Sequence, residues 1–286
     1  MATAFNTILL PVDFSINTDV AVSKALEISA AGNCSLHLFH VYRIMFPGVQ
    51  RYVRHLLTGY SRHEINAGIN DANARLSGLK ATIEKTRPDI NVFNWACFDD
   101  AVEKAITEKA KRLHADMIII GKNSHHNIFP FLNTVMPSRL AAASGIPVLT
   151  AKPGSMNKEI KTVVMPVGSH FPAKKVETLE ALRKKSKLEV RLVTFFDDET
   201  DPDFSKQSLL NVFRAVKSRL AAPVDYEVLH GNNKAMELLK YCNKVSADIL
   251  IVHPGSETRI SGWVNRHISD LIPHDSQMQV LAVQPL

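Results

Sequence analysis

Twelve histidines invite metal chemistry, but their spacing does not support it. The adjacent pair His125-His126 would point about 100° apart on a helix and to opposite faces on a strand. Two ligands on one face need a His-x-x-x-His spacing, and structural zinc usually adds a cysteine pair. Neither occurs here, so the pair reads as solvent-facing and no metal is predicted. His37 and His40 lie in an apolar run and read as satisfied core or interface groups. Acyl transfer lacks its Gly-x-Ser-x-Gly elbow, and both a Gly-x-x-x-x-Gly-Lys-Ser/Thr loop and a Gly-x-Gly-x-x-Gly turn are missing. Asp99-Asp100 and Asp197-Asp198 follow apolar runs, where an acid suits the positive end of a coming helix, so they read as caps rather than magnesium ligands. Cys34, Cys97 and Cys242 are odd in number and widely spaced, which fits free core thiols in a reducing cytoplasm. These readings predict a protein that is not an enzyme.

The net charge of +6 raises a nucleic-acid reading. Much of the excess sits in Arg183-Lys184-Lys185-Ser186-Lys187, where cations also suit a helix C-terminus and no aromatic residues interleave. A nucleic-acid partner is not expected. The longest apolar runs, such as Met117 to Ile120 and Ile249 to Val252, fall far short of the roughly 20 residues a membrane helix needs. Residues 1–10 lack the basic region of a signal peptide, so the expectation is a cytoplasmic protein without membrane attachment.

An internal repeat must position any site. Asn6 to Asp13 matches Lys161 to Gly168 at an offset of 155, and Leu36 to Tyr42 matches Val190 to Phe196 at 154. Ala115-Asp116-Met117-Ile118-Ile119-Ile120 then matches Ala247-Asp248-Ile249-Leu250-Ile251-Val252 at 132, so the second copy lacks about 22 residues between its second and third strands. Continuous apolar runs near 7–12, 36–42, 91–96, 116–121 and 147–151 read as buried strands, repeated near 162–167, 189–195, 224–229, 248–253 and 279–283. Helical spacing fills 20–30, 64–86 and 100–113 in one copy and 174–186, 205–220 and 233–245 in the other. Such alternation predicts parallel sheets with right-handed crossovers. The domains are placed at 1–153 and 158–286, joined through Lys152-Pro153-Gly154-Ser155-Met156-Asn157.

The segment Ile8-Leu9-Leu10-Pro11-Val12-Asp13-Phe14-Ser15 resembles the opening strand of a universal stress protein domain, Ala115 to Gly121 its fourth strand, and Gly145-Ile146-Pro147-Val148-Leu149 its fifth. The resemblance covers nearly the whole chain, as a tandem two-domain member. It implies an α/β fold of two consecutive doubly wound five-stranded parallel-sheet domains, each in strand order 3-2-1-4-5. They would form an intrachain pseudo-dimer through Val148 to Ala151 and Val280 to Val283, and a homodimer of the whole chain is allowed.

Many members of that family bind ATP, and the resemblance implies where. Ligands of open α/β sheets sit beyond the carboxyl ends of the strands at the topological switch point. An acid ending strand one would meet the ribose or adenine, and the backbone after strand two would line the adenine. A Gly-x-x-Gly loop, then nine residues and Gly-Ser or Gly-Thr, would cradle the phosphates, because no Cβ blocks the converging amides. Carried onto the first copy, Asp13 is the acid, Val41 the adenine-side residue and Gly121 the loop start. Ser124 stands for the second glycine and Asn133-Thr134 for Gly-Ser, while Lys122 could supply positive charge. The first domain is thus expected to keep a degraded nucleotide site open to ATP. In the second, Gly168 replaces the acid, Pro254 removes a donor amide from His253-Pro254-Gly255-Ser256, and Arg266-His267 stands near the Gly-Ser position. That domain is expected to be degenerate. The extra stretch 43–60, with Phe46, Tyr52 and Tyr60 among basic residues, reads equally as a lid, a partner surface or a long connection.

The leading expectation is a stress-response binding or regulatory module, with an adenine nucleotide and an unknown protein as partners. The alternative is a ligand-independent interaction protein with both pockets vestigial. An enzyme of the adenine-nucleotide α-hydrolase group would need a glycine-rich loop that Phe14-Ser15-Ile16-Asn17 does not supply.

Overall fold

The computed structural model describes residues 5–29, 34–43, 61–122, 135–183, 187–195, 206–231, 233–254, 272–273 and 275–285. The first half contains β1 (Thr7–Pro11), α1 (Ile16–Ile28), β2 (Ser35–Tyr42), α2 (Arg62–Thr86) and β3 (Asn91–Phe98). Next come α3 (Val102–Arg112), β4 (Met117–Gly121), α4 (Pro137–Ser144) and β5 (Val148–Ala151). The second half contains β6 (Thr162–Pro166), α5 (Ala173–Arg183), β7 (Glu189–Phe195), α6 (Lys206–Leu220) and β8 (Val224–Leu229). It ends with α7 (Lys234–Lys244), β9 (Ile249–Val252) and β10 (Gln279–Ala282).

All ten strands join one sheet in the order β3-β2-β1-β4-β5-β10-β9-β6-β7-β8. Each half therefore has the order 3-2-1-4-5 that the resemblance implies. Every pairing within a half is parallel. The halves meet antiparallel, Leu281 opposite Leu149 and Ala282 opposite Val148. Continuous apolar strands follow from burial on both faces. Leu10, Leu36, Leu149, Val163 and Leu281 share one apolar cluster with residues of α1, α2, α5 and α6. Leu9, Ile118, Val148, Leu250 and Val280 share the other with residues of α3, α4 and α7.

The repeated Ala-Asp dipeptide has the same task twice. Asp116 Oδ2 accepts from the amides of Asn6 and Thr7 at 2.8 and 2.9 Å, and Asp248 Oδ2 accepts from Lys161 and Thr162 at 2.9 and 2.8 Å. Each acid fixes the start of its half's first strand. Helix α4 was not visible in the apolar spacing. It has Pro137 in its first turn, no side-chain cap, and a left-handed Gly145 at φ 72° closing it, so it is punctuated by backbone chemistry rather than by an apolar stripe. Of the α2 stripe, Ala72, Leu76 and Ile83 are buried, whereas Ile65 and Ile69 in the N-terminal half are only partly covered.

Candidate functional site

Strand β1 pairs with β4 only at Ile8–Met117 and Leu9–Ile118, and the two strands then part. The amides of Ile118 and Lys122 donate to Pro147, just before β5, and to Ala151 at its end, both at 2.9 Å. Alternation along the strand therefore turns the backbone of Gly121 toward β1, into the cleft. Gly121 is also required for packing: a Cβ there would lie 1.7 Å from the backbone oxygen of Asn17. The first turn of α1 thus rests directly on the end of β4.

Asp13 stands exposed just beyond β1, on the same cleft. Its Oδ1 accepts from the Ser15 amide at 3.0 Å, the Ser15 hydroxyl at 2.7 Å and the Thr18 hydroxyl at 3.0 Å, and its Oδ2 from Asn17 Nδ2 at 2.9 Å. Thr18 Oγ1 in turn accepts from the amides of Asp13 and Phe14 at 3.1 and 3.0 Å, and Ser15 caps α1 through the Asn17 amide. Burial pushes the Asp13 carboxyl up, but the hydrogen bonds from Ser15, Asn17 and Thr18 together hold it below its ordinary 3.8. The group is therefore an ionised acceptor, oriented before any ligand arrives. With one donor on Oδ2, that oxygen keeps a lone pair for another.

Phe14 adopts a left-handed φ of 57°, rare for a bulky side chain. Its ring lies 4.7 Å from that of His40 and carries the Arg75 guanidinium 3.9 Å above it. His40 Nδ1 lies 2.7 Å from the Val12 carbonyl, the satisfied role expected for it. The same carbonyl in the second copy, Val167, accepts from Thr194 at 3.0 Å. His37 is buried with Nε2 3.1 Å from Ser35 Oγ, but its Nδ1 has no hydrogen-bond partner, so it is a core residue only half satisfied. Val41 is half-buried beside β3, paired with Cys97. Asp99 accepts from the Ala101 amide at 2.8 Å just before α3, but Ala101 is the N-cap and no side chain caps the helix, so Asp99 holds the entry turn rather than capping α3 as expected.

The structure thus gathers Asp13 and Gly121 around one cleft, with Val41 on the neighbouring strand. The backbone amide of Lys122 is spent on Ala151. Ser124, Asn133 and Thr134 lie outside the described residues, as do 44–60, His125-His126, Asp197-Asp198 and Arg266-His267. Sequence reasoning missed Ser15, Asn17 and Thr18, although a run of Asp, Ser, Asn and Thr before an apolar helix is a helix-start signal. In the second half Gly168 stands exposed beyond β6 with no carboxylate to offer. There Lys175 is buried and donates to the Pro166 carbonyl at 3.0 Å.

Residues 4–152 match the model of the universal stress protein family, over half of the 286-residue chain. The chain belongs to the universal stress protein family. A solved universal stress protein from Archaeoglobus fulgidus is 16% identical, with 98% of this chain and 96% of that one covered at a TM-score of 0.70. A protein of unknown function from Pseudomonas aeruginosa is 12% identical, with 99% and 93% covered at a TM-score of 0.57. Both likenesses extend across the two halves and establish the fold. No curated protein is a significant match. For this universal stress protein, no helix among the described residues is long and apolar enough to cross a membrane, and no group of three or more His, Cys, Asp or Glu among them could hold a metal.

Proposed function

We propose that this universal stress protein is a non-catalytic binding module of a reducing, cytoplasmic setting that takes one adenine nucleotide in the cleft of its first half. The observation that carries the reading is Asp13: ionised, exposed at the switch point and held by four hydrogen bonds, it meets a ribose hydroxyl without reorganising. Preorganised acceptors cost little ordering on binding. The backbone of Gly121, turned into the same cleft, supports an approach by the phosphates. Ser124, Asn133, Thr134 and the Lys122 side chain complete the proposed loop. The second half, with Gly168 for the acid, acts as a structural partner, and the two regions 1–153 and 158–286 are the functional units.

Titration with a fluorescent ATP analogue tests this. Asp13→Ala is expected to weaken binding at least about tenfold, the loss of one charge-assisted hydrogen bond, whereas Gly168→Ala leaves it unchanged. A second reading, an interaction protein with both clefts vestigial, is favoured by the close seating of Asn17 on Gly121, which narrows the cleft. It predicts no binding by the unaltered chain.

A further inference from the structure

Among the described residues, joining two halves through β5 and β10 leaves the ten-stranded sheet with two outer edges, β3 and β8, and their chemistry differs. Strand β8 carries Asp225 and Glu227, both exposed, on either side of Tyr226. Set against a second β8, these acids would face like charges, a common guard against edge pairing. Strand β3 reads Asn-Val-Phe-Asn-Trp-Ala-Cys-Phe. It is eight residues long, without a charge or a proline, and Phe93 is 44% exposed. An edge of that kind is a template for another strand.

The backbone phase fixes what the edge presents. The Asp99 amide donates to Tyr42 on β2 at 3.3 Å, so odd-numbered residues of β3 pair inward. Val92, Asn94 and Ala96 therefore turn their N–H and C=O groups outward. On the face next to α3, Phe93, His37 and Trp95 form a stack. The His37 ring lies 5.0 Å from Phe93 and 5.1 Å from Trp95, and Lys109 Nζ covers Trp95 at 3.6 Å.

From these features we infer that β3 is a dimerisation edge, on which a second copy of this chain pairs antiparallel, strand β3 against strand β3. The register that places Asn94 opposite Asn94 of the other copy sets Phe93 across from Trp95 twice, and Val92 across from Ala96 twice. Aromatic cross-strand pairs are among the stabilising ones, and within the strand no charge opposes a like charge; just beyond it Asp99 faces Asp89, whose charge Arg87 offsets at 2.7 Å. The contact is isologous and closes on itself. It repeats the antiparallel edge pairing that already joins β5 to β10, so two sheets become one. A β3–β8 contact would instead be head-to-tail and grow without closing.

Sedimentation velocity of the full chain tests the assignment. The unaltered protein is expected at twice 31.8 kDa. Phe93→Lys should shift it to a single chain, and Tyr226→Lys on the other edge should leave the dimer intact. A monomeric unaltered chain, a dimer that survives Phe93→Lys, dissociation by Tyr226→Lys, or species that keep growing with concentration would each overturn the assignment. Hydrogen exchange on the unaltered protein decides without any variant. The amides of Val92, Asn94 and Ala96 should be protected and should lose that protection on dilution; fast exchange at all concentrations contradicts the dimer.

Discussion

At Asp13 two physical effects act on one proton, and hydrogen bonding wins over burial. At His37 burial wins. The residue is 7% exposed, its ring stacked beside Phe93 and Trp95, and its pKa falls from 6.5 to about 4, first through burial and then through the Lys109 charge. The sign follows from linkage: between those values the unfolded chain takes a proton that the native chain refuses, so stability is present at pH 7 and lost as pH falls from 6.5 toward 4. The midpoint of thermal unfolding should therefore decline across that interval. His37→Phe, which keeps a ring but not the titration, should flatten the decline, and an unchanged slope would contradict this account of His37.

Elements explain which residues were legible. Strands such as Met117 to Ile120 and Ile249 to Val252 showed themselves as unbroken apolar runs because both faces of the sheet are covered. Helix α4 did not, since Pro137 and Gly145 define it more than any stripe does. The repeated Ala-Asp was plain as a repeat, but its work was not. Asp116 serves amides more than a hundred positions away, and only pairing across the fold brings them together. Gly121 was legible for only one of its reasons. A phosphate pattern pointed to it, while the packing of Asn17 gives it a second, independent need to lack a Cβ. Gly121→Ala should consequently cost about 3 kcal/mol through overpacking against backbone that cannot yield, measurable by urea unfolding with or without nucleotide. A loss confined to ligand affinity would show that the α1 contact is looser than described. The proposed phosphate end of the site, from Ser124 to Thr134, lies outside the described residues.

At the scale of the molecule, both halves share two apolar clusters, and charged groups bind the connection between them. Lys24 of α1 is fully buried. Its Nζ meets Glu27 Oε2 at 2.6 Å and the Lys158 carbonyl, while the Ile160 amide donates to Glu27 Oε1 at 3.3 Å. Lys158 itself pairs with Asp248 at 2.9 Å. The chain immediately after the segment read from sequence as a Pro/Gly/Ser linker is thus pinned to both halves. Lys24→Ala removes charge-assisted hydrogen bonds to Glu27 and the Lys158 carbonyl, and is expected to cost roughly 2 kcal/mol and to open Lys158 and Lys161 to trypsin in the native protein; cleavage no faster than in the unaltered chain would contradict the pinning.

The duplicated architecture leads to an unequal pair of clefts, one with an acid at its switch point and one without. Counting nucleotides per chain tests that asymmetry most directly. Native mass spectrometry of the purified protein, titrated with ATP, should show a single added nucleotide for each 31.8 kDa chain, lost on Asp13→Ala. Two nucleotides per chain, or none at saturating ATP, would contradict the account.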